Sequence, residues 1–282
     1  MTATTDADGW TVVVPVKSLT AAKTRLAPEL GPAERAALAR AFALDTIDAA
    51  RAARAVERVV VVSDEPVVER ELRGVPGVDV VPEFGPRGLA AAISHGVAVA
   101  RAERSRPAAE AVAEGRRGAG AGGSARAVAV LLGDLPAVGP GDLDAALEAA
   151  ARHPLAFVAD AEGTGTTLAT ALAGVPLAAY FGPGSAARHR TAGFADLVAL
   201  HPDAVAPGLR RDVDTGDELR EAIGLGVRAR TADVVVGLGL GLVPGDRSDL
   251  ADGVAPRHPL DPPTAPTGAA TAPDGADRKA AS

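Results

Sequence analysis

Three cations stand close together in the segment VPVKSLTAAKTRLAP: Lys17, Lys23 and Arg25. Arginine offers a fork of donors and lysine a point charge, so such a cluster suits a polyphosphate. A solvated basic loop is the equally weighted alternative on spacing alone. The segment is neither a Walker loop nor a GxGxxG fingerprint, because both glycine patterns are absent. A second candidate is Asp134 in AVAVLLGDLPAV. A carboxylate at the end of an apolar strand can hold a hard cation such as Mg²⁺, which favours oxygen ligands and substrate phosphates. It can equally turn the chain before Pro136. A third is RRDVDTGDEL, where alternation along a short extended segment puts Asp212 and Asp214 on one side. Either carboxylate is a candidate second metal ligand, and Asp214 or Thr215 is a candidate cap for the helix that follows.

The fourth constellation joins GTGTTLA (163–169) to FGPGSAARHR (181–190). Thr166 and Thr167 carry hydroxyls beside a glycine-rich turn. Ser185 opens a short helix after Gly182, Pro183 and Gly184, where free N–H groups suit a phosphate or carboxylate. Arg188 and Arg190 add charge nearby, and a plain N-cap serine is the simpler reading. Histidines at 95, 153, 189, 201 and 258 show no zinc spacing and read as structural or surface residues. No GxSxG elbow is present.

The elements that must position these residues are legible as alternating patterns. WTVVVPV (10–16), RVVVVSDEP (58–66), VDVVPE (78–83), AVAVLLGD (127–134), LAFVAD (155–160) and TTLATALA (166–173) read as strands. Helices are expected over 31–53, 88–103 and 140–153, with Pro32, Glu34 and Asp142 suited to their first turns. Strands alternating with helices predict an α/β domain. Continuous rather than alternating apolar runs predict a mainly parallel sheet with helices on both faces. Ligands then sit at the carboxyl ends of the strands, in the loops after Val16, Val62, Val81, Gly133 and Asp160.

Composition narrows the function. The 282 residues carry 29 basic and 36 acidic side chains, a net charge of −7, which disfavours nucleic acid as a partner. There is no cysteine, so disulfides, thiolate metal sites and cysteine nucleophiles are excluded. No apolar run reaches the roughly 18 residues of a membrane span. MTATTDADGW lacks the order of a signal peptide, and a cytoplasmic location is expected. Residues 1–8 read as loose, 104–126 as a flexible Gly/Ala/Arg-rich insertion and 237–282 as a disordered tail, leaving a domain over 9–236.

Taken in order, VPVKSLTAAKTRLA, VVVVSDEP, GLAAAISHG, LLGDLPA, GTGTTLATA, FGPGSAARHR and RRDVDTGDELREA resemble the guanylyltransferases of coenzyme F420 biosynthesis over residues 10–230. The resemblance implies a three-layer nucleotidyltransferase fold of the nucleotide-diphospho-sugar transferase type. It implies Mg²⁺-dependent transfer of GMP from GTP to phosphoenolpyruvate or 2-phospho-L-lactate, with release of pyrophosphate. It matches Thr167, Gly182 and Ser185 to positions that hold the phosphorylated acid, and Asp134 to a metal ligand. Asp212 is the expected second ligand, with Asp214 kept open. Lys17, Lys23 and Arg25 match the basic phosphate loop. Related enzymes often read Gly-Leu-Asn where this chain has Gly88, Leu89 and Ala90, and an alanine side chain cannot hydrogen-bond a nucleotide. The competing expectations are a nucleotidyltransferase of the same fold acting on a sugar phosphate or molybdopterin, and a non-catalytic nucleotide-binding protein. A homodimer is admitted by the sequence, which carries no direct sign of oligomeric state.

Overall fold

A computed structural model describes residues 9–19, 23–83, 88–102 and 126–240. The elements in chain order are β1 (Trp10–Pro15), α1 (Pro32–Ala52), β2 (Val56–Val62), α2 (Pro66–Leu72), β3 (Val78–Val81), α3 (Leu89–Ala102), β4 (Val128–Leu131) and α4 (Pro140–Ala150). They continue with β5 (Leu155–Ala159), β6 (Thr166–Ala171), α5 (Ser185–Thr191), β7 (Ala195–Asp196), α6 (Leu197–Leu200), α7 (Pro207–Arg210), α8 (Gly216–Leu225) and α9 (Ala229–Gly237). Residues 1–8, 104–125 and 241–282, expected to be loose, lie outside the described residues. Residues 237–240, assigned to the tail from the sequence, belong instead to the fold. Gly237 closes α9, and Leu238 and Leu240 pack against the α1–α9 core.

The strands form one seven-stranded sheet in the order β3-β2-β1-β4-β6-β5-β7. The pairs β3/β2, β2/β1, β1/β4 and β5/β7 are parallel. β6 runs antiparallel to both β4 and β5, because only the tight 160–165 turn separates it from β5. The sheet is therefore mainly parallel but mixed.

Strand alternation assigns the two faces. Val12, Val14, Val59, Val61, Ala129 and Leu131 point into the core shared with α1, α2 and α4. Val13, Val60, Val62, Val128 and Val130 point to α3. Both faces are covered, so the runs are apolar throughout. Phe157, Ala159 and Ala169 meet α5 on their own.

The starts of α1 and α4 follow one pattern. A glycine precedes a proline at the first helical position, and an acid two residues later folds back. Glu34 Oε2 accepts the Gly31 N–H at 2.6 Å, and Asp142 Oδ2 accepts the Gly139 N–H at 2.8 Å. The helix α9, not expected from its β-branched sequence, is started by a residue from another helix. Buried Asp45 of α1 accepts from the N–H groups of Arg230 (3.2 Å) and Thr231 (2.8 Å). Leu26, Phe42, Val213, Leu219 and Val235 then form a satellite core that fastens the segments around Arg25 and Val213 to α1.

Because β4 is parallel to β1, and β5 is parallel to β4 through the intervening β6, the carboxyl ends of β1, β4 and β5 share one edge. The chain order reverses between β1 and β4. A crevice is expected there, and the site lies in it.

Candidate active site

β4 ends at Leu131, and Leu132, Gly133 and Asp134 turn away from the sheet edge. That turn is fixed from two sides. Thr46 Oγ1 of α1 accepts the Leu135 N–H at 3.2 Å, and the Asp134 carbonyl accepts the Val213 N–H at 3.2 Å. The second bond brings the 212–214 segment alongside Asp134. Val213 is buried between the two aspartates, and Asp212 and Asp214 both face the cleft. Thr215, rather than Asp214, caps α8. Its hydroxyl accepts the Glu218 N–H, while Glu218 Oε2 accepts the N–H groups of Asp214 and Thr215 at 2.7 Å each. Asp214 is thereby freed from capping.

The cleft has a volume of about 590 Å³. That falls within the roughly 300–1,000 Å³ of small-molecule sites, enough for a nucleotide and a small acid. The cations Lys17, Lys23 and Arg25, the acids Asp134, Asp212 and Asp214, and Gly182 and Ser185 all line it. Of the nine residues that the family resemblance assigns to the site, eight thus meet in one place. Thr167 does not line the cleft, whereas its neighbour Thr166 does. The β5–β6 register explains the difference in part. Val158 lies opposite Leu168 and Ala159 opposite Thr166, so Thr167 is an extra residue in β6.

The three cations differ in their surroundings. The Lys23 side chain is 8% exposed, and its Nζ donates to Asp134 Oδ2 at 2.6 Å and Asp214 Oδ1 at 3.0 Å. Burial opposes its charge, but Asp134 and then Asp214 outweigh burial and raise its pKa above the ordinary lysine value. Arg25 is largely exposed, 4.0 Å from Asp214, and Lys17 is exposed. Among the described residues, Asp212 forms no ion pair. Burial, then the charges of Asp134, Asp214 and Asp160, push its carboxyl up to about 7.

Two acids that the sequence did not single out complete the acidic lining. Among the described residues, ligand oxygens of Asp160, Glu162 and Asp212 lie within 4.8 Å of one another. Asp160 organises the 160–165 turn: its two oxygens accept the N–H groups of Thr164 (2.8 Å) and Gly165 (2.7 Å). A Cβ on Gly165 would fall 2.2 Å from Asp160 Oδ2, so a side chain there would break that turn. Glu162 is held at 2.7 Å by Arg211. The placement of Asp160 at the end of a buried strand was the available signal. The role of Arg210, which donates to the carbonyls of Ala159, Asp160 and Ala161, had none.

The residues present fit a hard divalent cation. All candidate donors are carboxylate oxygens. Asp134 Oδ1 is buried with no hydrogen-bond partner among the described residues. Asp212 is crowded by like charges that a cation would relieve. Unpartnered buried hydroxyls also occur at Ser185 and Thr167. Ser185 is not an N-cap: Gly184, with φ of 69°, occupies that position, and the Ser185 hydroxyl caps nothing.

The sequence profile described as "Guanylyl transferase CofC like" matches residues 10–106. A phosphoenolpyruvate guanylyltransferase of Streptomyces scabiei (strain 87.22) is 47% identical over 240 residues, spanning 84% of this chain and 99% of that one. A second, from Sanguibacter keddieii, is 44% identical over 256 residues, spanning 80% and 84%. The chain belongs to the phosphoenolpyruvate guanylyltransferase family. Among solved structures, a protein described as a nucleotide-diphospho-sugar transferase from Desulfovibrio desulfuricans G20 superposes with a TM-score of 0.46 at 17% identity, over 77% of this chain and 96% of that one. No helix among the described residues is long and apolar enough to cross a membrane.

In this family member the charges of the 181–190 segment serve the loop itself. Arg188 donates to the carbonyls of Pro183 (2.5 Å) and Tyr180 (2.9 Å), and Arg190 pairs with Asp196 at 2.8 Å. They are not free to bind a ligand as the sequence suggested. His189 is fully buried; its Nε2 accepts the Tyr180 N–H at 3.1 Å, and Nδ1 lies 3.0 Å from Thr166 Oγ1. Burial lowers its pKa to about 4, against an opposing hydrogen bond to the Ser185 backbone and with a further lowering from Arg188. A depressed histidine contributes stability that is present above about pH 6.5 and is lost as pH falls toward 4. Urea denaturation should therefore show about 2–3 kcal/mol of acid sensitivity between pH 6.5 and 4.5 that His189→Gln lacks.

Proposed function

We propose that the protein transfers the guanylyl group of GTP to phosphoenolpyruvate, as its relatives' names state for them, in a reaction that serves coenzyme F420 biosynthesis. The acid's phosphate oxygen attacks the α-phosphorus, the α–β P–O bond breaks, and enolpyruvyl-diphospho-guanosine and pyrophosphate form. The observation that carries this reading is the meeting, in one cleft, of three aspartates with three cations and the unpartnered Ser185 hydroxyl. A phosphate monoester is already anionic near neutrality, so no strong base is required. That agrees with the cleft, which has no histidine among its described lining residues.

The problem to be solved is repulsion between two polyanions, and the residues divide it. Asp134, Asp212 and Asp214 would hold Mg²⁺, which when bound supplies Lewis-acid neutralisation of phosphate oxygens. Lys17 and Arg25, exposed at the cleft wall, bind the triphosphate and stabilise the leaving pyrophosphate. Ser185 and Gly182 orient the phosphorylated acid, and Thr167 supports that side from within β6. The contribution is mostly positioning and electrostatics.

Pyrophosphate release tests the reading. The pair GTP and phosphoenolpyruvate with Mg²⁺ should give rapid release, and CTP, ATP or a sugar phosphate in place of either partner should not. Release with a sugar phosphate, or none with any acceptor, contradicts it. Ser185→Ala removes one hydrogen bond to a charged group, so the KM for phosphoenolpyruvate should rise about 10-fold with kcat changed little. A change in the KM for GTP instead would reassign that loop.

A further inference from the structure

Among the described residues lining the cleft, Lys23 is the one cation with a buried side chain, and it bridges two of the proposed metal ligands. Its ammonium lies between Asp134 Oδ2 and Asp214 Oδ1, from segments far apart in sequence. It reaches them from a backbone with φ of 56° and ψ of 40°, and it is the one non-glycine residue among those described with positive φ. L side chains seldom adopt that conformation, and it persists only where surrounding contacts enforce it. The chain also uses lysine sparingly: of 29 basic residues only Lys17, Lys23 and Lys279 are lysines. A compact ammonium bridges two separate carboxylates as a point charge, which a planar guanidinium fork does less well.

We infer that Lys23 is an internal stand-in for the divalent cation, occupying Asp134 and Asp214 in the nucleotide-free protein and leaving them when a cation takes its place. The inference rests on the reading that these aspartates are the metal ligands. A divalent ion drawn to Asp134 and Asp214 meets an ammonium already seated 2.6 and 3.0 Å from their oxygens, and like charges at such separations repel. The released side chain lies in the same cleft as Lys17 and Arg25, where triphosphate oxygens offer it a new partner. Lys23 thereby makes cation and nucleotide binding mutually favourable. Without nucleotide, the cation must displace a paired ammonium. With nucleotide, the displaced ammonium is paired again. Reciprocity requires each ligand to raise the affinity of the other by the same factor. Lys23 is thus a positioning residue that keeps Asp134 and Asp214 from repelling one another before substrates arrive.

The test uses the full chain, first without nucleotide and then with GTP. Mn²⁺ binding is measured by electron paramagnetic resonance for the wild type, Lys23→Met and Asp134→Asn. Lys23→Met should bind Mn²⁺ about 10-fold more tightly than the wild type, and GTP should strengthen its Mn²⁺ binding less than it does for the wild type. In the wild type, acetylation of Lys23 relative to exposed Lys17, read by mass spectrometry, should be slow without Mn²⁺ and fast at saturation. Equal Mn²⁺ affinity in Lys23→Met, or protection of Lys23 that persists with Mn²⁺ bound, overturns the inference while leaving the metal ligands standing. Mn²⁺ binding that Asp134→Asn does not weaken overturns the ligand assignment itself, and the inference with it. The acetylation measurement needs no variant, so poor folding of Lys23→Met would not spare the idea.

Discussion

Asp134→Ala should lower kcat for pyrophosphate release on the order of 10²–10³-fold while the protein stays folded. The carboxylate and the backbone of this residue do separate jobs. The Asp134 carbonyl accepts from Val213, and the neighbouring Leu135 N–H is held by Thr46. Both bonds survive truncation of the side chain, so the 134–136 turn and the 212–214 segment stay in place. Lys23 keeps its second partner, Asp214, at 3.0 Å. What disappears is a carboxylate with one buried, unpartnered oxygen at the crevice between β1 and β4. An unchanged circular dichroism spectrum with a collapsed kcat is the expected result. Near-normal turnover with Mg²⁺ present would remove Asp134 from the machinery.

Asp212→Asn should also abolish most turnover, by the same order, yet raise stability. The fold resists ionisation of its carboxyl, pushing the pKa up to about 7 through burial and the neighbouring carboxylates. A carboxyl raised in the folded state contributes stability that is fully present below the unfolded value near 4. That contribution is lost as pH rises through about 7. In the metal-free protein at pH 8 the ionised side chain thus opposes folding. An amide carries no charge to repel Asp134, Asp160 and Asp214. The gain in the variant should grow from about pH 4 and level off above about pH 7, and it should appear as a Tm higher by roughly several degrees. Saturating Mn²⁺ should narrow the gap by stabilising only the wild type. A variant no more stable than the wild type at pH 8 would show that the crowding of carboxylates is relieved in some other way.

The two variants lie close in the sequence reading but were not equally legible. Asp134 was marked by its place after a buried strand, and Asp212 and Asp214 by their alternation. The sheet-edge rule then sufficed to gather them. The opposite behaviour of Asp212 comes first from its burial and then from Asp134 and Asp214, with a smaller contribution from Asp160, which reaches the cleft from β5. Local patterning carried no sign of that encounter. The same limit applies to Lys23: the sequence marked it as a phosphate ligand, while its ion pairs span 111 and 191 residues.

The fold was legible where one rule governs a whole run. Continuous valines located β1, β2 and β4 because both faces of the sheet are covered. α9 was missed because its Val-rich segment has weak helical preference, which the Asp45 cap and packing on α1 override. α2 was hidden by its proline, read as a strand terminator when it is the first residue of a helix. Arg188 and Arg190 were read as charges for a ligand, but the 180–183 carbonyls and Asp196 use them.

The roles of Asp134, Asp212 and Lys23 turn on where a divalent ion binds. Anomalous diffraction from crystals grown with Mn²⁺ and GTP locates it directly. The expected map has a peak in contact with Asp134 and with Asp212 or Asp214, with the Lys23 ammonium moved off those carboxylates toward the triphosphate. Manganese held elsewhere, with Lys23 still bridging Asp134 and Asp214 beside bound nucleotide, would contradict it.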